Sequence, residues 1–125
     1  MTIKTVLIED SKTIRDVLIP TLAELGDMEV LAVAEGADEA VQKMHFFRVH
    51  WQLAVVDLFL KQGSGLDVLR AWGRHHPGKL IVVLSNYATK PMRDECFALG
   101  ADAVFDKSTQ LDAFFEFCAT RFQRM

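Results

Sequence analysis

Short apolar runs alternate with stretches of helical spacing along the whole chain. Lys4–Ile8 (KTVLI) predicts a buried strand, and Thr13–Leu25 places Ile14, Val17, Leu18, Leu22 and Leu25 at helical intervals. Pro20 falls inside that helix and is expected to kink or shorten it. Met28–Val33 predicts a second strand, Ala37–Phe47 a helix with Ala37, Ala40, Val41 and Met44 on one face, and Leu53–Val56 a third strand. A short helix over Gly65–Gly73 is closed by the Pro77–Gly78 turn. Leu80–Leu84 (LIVVL) is a fourth, β-branched strand; Thr89–Leu99 is a helix with Gly100 as its stop. Ala103–Phe105 is a short fifth strand, and Thr109–Arg121 the last helix, with Thr109 at its N-cap. The order is (βα)5. Such alternation predicts one domain over 1–125: an α/β, doubly wound, five-stranded parallel sheet with helices on both faces. Strands that are apolar throughout agree with burial from both sides.

Composition narrows the function classes. Of 125 residues, 14 are basic and 17 acidic, for a net charge of −3. No basic run forms a nucleic-acid footprint, so direct nucleic-acid binding is not expected. No stretch approaches the ~20 apolar residues of a membrane span, and MTIKTVLIEDSK does not read as a signal peptide. Cys96 and Cys118 lie in helical segments without metal-like spacing, which suggests buried, reduced thiols. A cytoplasmic location, away from membranes, is the expectation.

The chemistry emerges at the strand ends. Sheets of this kind bind ligands beyond the carboxyl ends of their strands. There the first strand meets Glu9 and Asp10, the third Asp57, the fourth Ser85, and the fifth Asp106 and Lys107. Asp57 alone could be a loop acid or cap. The three carboxylates of Glu9, Asp10 and Asp57, however, repel when clustered, and one lysine does not neutralise them. A divalent ion with hard oxygen ligands does, and Mg²⁺ suits such a site. A carboxylate beside it can attack phosphorus to give an acyl phosphate. Lys107 and Ser85 could then bind the phosphoryl oxygens.

At this point the stretches VLIEDS, AVVDLFLKQGSGLDVL, IVVLSNYA and GADAVFDKS identify a resemblance. Over nearly its full length the chain resembles the receiver domain of two-component response regulators, a CheY-like, flavodoxin-like fold. The resemblance implies the strand order 2-1-3-4-5. It implies Asp57 as phosphoacceptor, with Ser85 and Lys107 contacting the phosphoryl group. It implies Mg²⁺ held by Glu9, Asp10, Asp57 and the backbone carbonyl of Phe59, Asp10 being the more direct ligand of the acidic pair. The implied donor is a histidine kinase or a histidine phosphotransfer protein. The implied output is a phosphorylation-dependent switch or relay, its downstream partner or homodimer mate docking on the face formed by helix 4, strand 5 and helix 5.

Some positions depart from the family pattern. Lys61 and Ser108 stand where proline is common, and Ser108 leaves open the geometry of the Lys107–Ser108 bond. Asn86 replaces a small residue. Val104 occupies the position of an aromatic rotor, and its neighbour Phe105 points to the opposite face. Tyr87 is either a partial substitute or an exposed loop residue. Phe117 lies off the apolar stripe Leu111, Phe114, Phe115, Cys118 and Phe122, as a lone partly covered residue or a contact face. Trp51 and Trp72 are expected at the periphery. His45, His50, His75 and His76 are expected at the surface, and GSG at 63–65 is read as a turn.

Three function classes compete. The first is a phosphorylation-operated binding module, not an enzyme beyond its own phosphorylation and dephosphorylation. The second is an aspartyl-phosphate phosphatase, disfavoured because Phe59 stands where a second acid is needed. The third is a pseudo-receiver that binds partners without phosphorylation. The chain is either a stand-alone receiver, which is preferred, or an excised N-terminal domain.

Overall fold

The computed structural model describes residues 2–74 and 76–123. Strands and helices alternate as β1 (Ile3–Ile8), α1 (Lys12–Gly26), β2 (Met28–Ala34), α2 (Ala37–Phe46), β3 (Leu53–Val56), α3 (Gly65–Trp72), β4 (Leu80–Ser85), α4 (Lys90–Ala98), β5 (Ala103–Asp106) and α5 (Leu111–Gln123). The strands pair in parallel in the order β2-β1-β3-β4-β5. This is the expected doubly wound architecture.

Alternation along the strands builds two cores. Val6, Ile8, Ala54, Val56, Ile81, Val83 and Val104 pack with Ala40, Met44, Val68, Leu69 and Cys96, under α2, α3 and α4. Leu7, Leu53, Val55, Leu80, Val82 and Leu84 pack with Leu18, Leu22, Phe114 and Cys118, under α1 and α5. Each fully buried Leu, Val, Ile or Phe contributes about 1.5–3 kcal/mol, so both faces are firmly covered. Val104 and Phe105 do point to opposite faces: Val104 is buried, while Phe105 meets the rings of Phe114 and Phe117. Phe117 is thus partly covered. Both cysteines are buried and unpaired.

Several expectations need correction. Trp51 and Trp72 are not peripheral; they are 1% and 6% exposed, with ring centroids 5.3 Å apart. Burial of Trp51 is possible because its Nε1 finds a partner inside, donating to the Met44 carbonyl at 2.8 Å. Lys79 lies over the Trp51 ring at 4.1 Å, and desolvation by burial lowers its pKa. Helix α1 is not shortened by Pro20, which is exposed and leaves the helix running to Gly26. Within α1, Val17 and Leu25 are exposed, and Leu18 and Leu22 carry the burial. Thr109 is not the N-cap of α5, which begins at Leu111; its backbone N–H instead donates to Asp106 Oδ1. His45 and His50 are exposed, but His76 is half-buried and stacks on Trp72. His75 lies outside the described residues.

Candidate functional site

Strands β1 and β3 are neighbours, so their carboxyl ends arrive side by side, with Ile8 paired to Val56. The residues that follow them, Glu9, Asp10 and Asp57, each offer a carboxylate oxygen within 4.8 Å of the others. Strand β5 is two strands away, yet Lys107 reaches across. Its Nζ lies 2.6 Å from Glu9 Oε1 and 3.3 Å from Asp57 Oδ2.

The three acids differ in what remains free. Glu9 is 1% exposed, and both its oxygens are engaged, Oε1 by Lys107 and Oε2 by the Ser11 N–H at 3.1 Å. Asp57 accepts from the Leu58 N–H through Oδ1 at 2.8 Å and from Lys107 through Oδ2. Asp10 is half-buried and makes no side-chain hydrogen bond or ion pair with another described residue. The donor set is therefore hard, anionic and partly uncommitted, which fits a divalent cation such as Mg²⁺. Of the three carboxylates, that of Asp10 is the least committed and could serve such an ion most directly.

The chain after Asp57 is held by the start of α3. The Gly65 N–H donates to the Leu58 carbonyl at 2.9 Å, and Ser64 caps α3 in a reciprocal box with Asp67. A Cβ on Gly65 would lie 2.4 Å from the Asp57 carbonyl oxygen. Only glycine lets the helix press so closely on the strand end. The Phe59 carbonyl, one residue beyond the one Gly65 binds, accepts no hydrogen bond from a described residue. It is thus available as a further oxygen ligand.

Ser85 ends β4 opposite Asp106 and is fully buried. Its Oγ accepts from the Tyr87 N–H at 3.1 Å, and its carbonyl accepts from the Lys107 N–H. Asp106, although at a strand end, stays out of the acidic cluster; its Oδ1 accepts from the Ser108 and Thr109 N–H groups in a turn. The Lys107–Ser108 peptide is trans, as are the others between described residues. Asn86 accepts from the Ser108 hydroxyl at 2.7 Å, and Lys61 Nζ lies 3.4 Å from Glu35. Tyr87 is exposed, but its ring lies 4.4 Å from that of Phe59 at the rim of the site.

Two arginines near the site escaped the sequence reading. Arg15 donates to the Glu9 carbonyl and to Glu35 Oε2, both at 2.8 Å. Arg15, and then Lys61, hold the Glu35 carboxyl below the usual carboxylate range. Arg93 reaches Ala88, Val104 and Gln110. Backbone carbonyls are their chief partners, and no sequence spacing announces such contacts.

A parallel 2-1-3-4-5 sheet with acids, a hydroxyl and a lysine at its carboxyl edge is a doubly wound α/β domain whose polar groups lie where such sheets place their ligands. The chain belongs to the response regulator receiver domain family, whose model matches residues 5–118. It is 25% identical over 85 residues to the transcriptional regulatory protein CitB of Klebsiella pneumoniae, covering 67% of this chain and 36% of that protein. It is 31% identical over 99 residues to protein-glutamate methylesterase/protein-glutamine glutaminase 1 of Xanthomonas oryzae pv. oryzae, covering 78% of this chain and 27% of that protein. The chain thus spans about a third of the length of these relatives. Among solved structures, a chain of the CheX–CheY–BeF3–Mg²⁺ complex of Borrelia burgdorferi shares the fold with a TM-score of 0.80 at 15% identity, over 96% of this chain and 89% of that one. No described helix is long and apolar enough to cross a membrane.

Proposed function

We propose that this receiver domain accepts a phosphoryl group on Asp57 from a histidine kinase or a histidine phosphotransfer protein. The reaction depends on Mg²⁺, takes place in the cytoplasm, and makes the domain a switch or relay. The observation that carries the reading is the convergence of Glu9, Asp10 and Asp57 within 4.8 Å, with Lys107 bridging Glu9 and Asp57.

An Asp57 carboxylate oxygen attacks phosphorus, the P–O bond forms, and the P–N bond of the donor phosphohistidine breaks. The imidazole leaves with the electron pair and is protonated. Asp10, Asp57 and the Phe59 carbonyl would hold Mg²⁺, with Glu9 supporting from behind; the ion, when bound, supplies charge neutralisation at the phosphoryl oxygens. Lys107 is already 3.3 Å from Asp57 Oδ2, so it needs little movement to pair with a phosphoryl oxygen. The Ser85 hydroxyl accepts from the Tyr87 N–H and keeps its own proton for donation. Rigid placement comes from β3, whose four residues are all buried.

Intact mass after incubation with acetyl phosphate tests this, with and without Mg²⁺. The expected result is a metal-dependent gain of one phosphoryl group, absent in Asp57→Asn. No gain from acetyl phosphate or from a phosphorylated histidine phosphotransfer protein, with Mg²⁺ bound, overturns the reading in favour of a phosphorylation-independent interaction module.

A further inference from the structure

Arg93 in α4 ties together three separate segments. Its Nε donates to the Ala88 carbonyl at 2.9 Å, in the loop after Ser85. Its Nη1 donates to the Val104 carbonyl at 2.6 Å, three residues before Lys107 in β5. Its Nη2 donates at 2.6 Å to Gln110 Oε1, which also accepts from the Asp106 N–H at 2.8 Å. All three acceptors are neutral, and Arg93 makes no ion pair with a described carboxylate. Its charge is therefore spent on orienting backbone rather than on pairing. Among the described residues, no other α4 side chain hydrogen-bonds to β5 or to the turn after it.

We propose that Arg93 is the positioning residue that couples the phosphoryl site to the α4–β5–α5 face. The proposal rests on the phosphoacceptor reading above. Val104 is buried and small, so it has no ring to turn, and the backbone offers a signal from the site another route. Ser85 and Lys107, the two groups placed to bind a phosphoryl oxygen, lie three residues from Ala88 and Val104. Their backbones are already linked, because the Lys107 N–H donates to the Ser85 carbonyl at 3.1 Å. When Ser85 and Lys107 adjust to the phosphoryl group, the Ala88 and Val104 carbonyls shift with them. Hydrogen bonds of this length and directionality tolerate little stretch. Helix α4 therefore follows the carbonyls or loses its clamp, and either response alters the face. The planar guanidinium fork serves three acceptors at fixed angles, which an ammonium does not reproduce.

The test uses backbone amide chemical shifts of the full chain, titrated with beryllium fluoride and Mg²⁺ as a phosphoryl mimic. Wild type, Arg93→Gln and Arg93→Lys are compared. In wild type, amides near Asp57, Ser85 and Lys107 and amides of α4 and α5 all respond. In Arg93→Gln the site amides still saturate, with a midpoint within about threefold of wild type, while α4 and α5 shifts fall below about a third of theirs, as expected when a coupling term is removed and binding is kept. Arg93→Lys shows an intermediate response and decides the matter if the glutamine variant does not fold. A wild-type α4 response in both variants overturns the proposal, as does loss of site binding and face response together, or loss of fold in both. A wild-type chain with no site response refutes the phosphoacceptor reading itself, and is told apart by that.

Discussion

Removing the Asp10 charge is expected to stabilise the metal-free domain. Three carboxylate oxygens, from Glu9, Asp10 and Asp57, lie within 4.8 Å of one another, and Lys107 pairs with Glu9 and Asp57 but not with Asp10. At 4.8 Å, two unit charges repel by about 1 kcal/mol in a water-like dielectric and about 3.5 kcal/mol at an effective value near 20. Asp10 faces two such neighbours. Its own partial exposure and its attraction to Lys107 reduce the net effect, so Asp10→Asn should gain about 1–2 kcal/mol. Urea unfolding in EDTA reads this as a rise in midpoint of about 0.5–1 M with an unchanged slope. The gain should shrink in high salt. Adding Mg²⁺ should then raise the wild-type midpoint and leave the variant where it was, because a ligand that binds only the native state stabilises it. A variant midpoint at or below wild type in EDTA would refute the electrostatic argument. A full Mg²⁺ response in the variant would refute the assignment of Asp10 as a ligand.

Gly65→Ala should destabilise by about 1–3 kcal/mol, because its Cβ would meet the Asp57 carbonyl oxygen at 2.4 Å and α3 must move; it should also slow phosphorylation by acetyl phosphate, and an unchanged urea midpoint with an unchanged rate would count against the close-approach account. Trp51→Phe should cost about 1–3 kcal/mol in a urea melt, since it leaves the buried Met44 carbonyl without the indole N–H, and a neutral outcome would show that the carbonyl finds another partner. Burial raises the Cys96 thiol to about 11 and the Cys118 thiol to about 12. Both should stay protonated in the native state at pH 8 and react with iodoacetamide far more slowly than in urea. Because the native values lie above the unfolded ones, stability from these groups is intact below about pH 9 and is lost as pH rises through about 11 to 12. A cysteine-to-alanine variant with the same alkaline loss would refute that origin.

Much of this was legible in the sequence because the relevant forces are local or periodic. Strands such as Leu80–Ser85 are apolar throughout, and only double-sided burial explains that. The placement of the candidate site residues was legible because a parallel sheet puts every strand's carboxyl end on one side, which brings Glu9, Asp10, Asp57, Ser85 and Lys107 to the same end. What escaped depends on tertiary acceptors. Arg15 and Arg93 bind backbone carbonyls brought by other elements, and Trp51 finds its acceptor seven residues back across a turn. Thr109 looked like a cap because of its residue type, yet Asp106 and Gln110 organise that turn and the helix starts later. Asp106 shows the converse: a strand-end acid in the right place, used for local backbone.

The two ends of the sheet divide the labour of stability and function. At the amino edge, Trp51 and Trp72 pack against each other, Lys79 caps the Trp51 ring, and His76 stacks on Trp72. That edge carries large apolar burial and even tolerates a Trp72 indole N–H without a partner among the described residues. At the carboxyl edge, the chain instead sets three like charges around one ammonium, which costs stability in the metal-free state. A domain of marginal net stability can hold such a cluster only if the remainder overcompensates. Strands β1 and β3 run from one edge to the other and are buried along their shared length, so the aromatic base fixes the acids that the carboxyl edge would otherwise push apart. Conditions that loosen the amino edge should therefore lower metal affinity at the opposite end before they unfold the sheet.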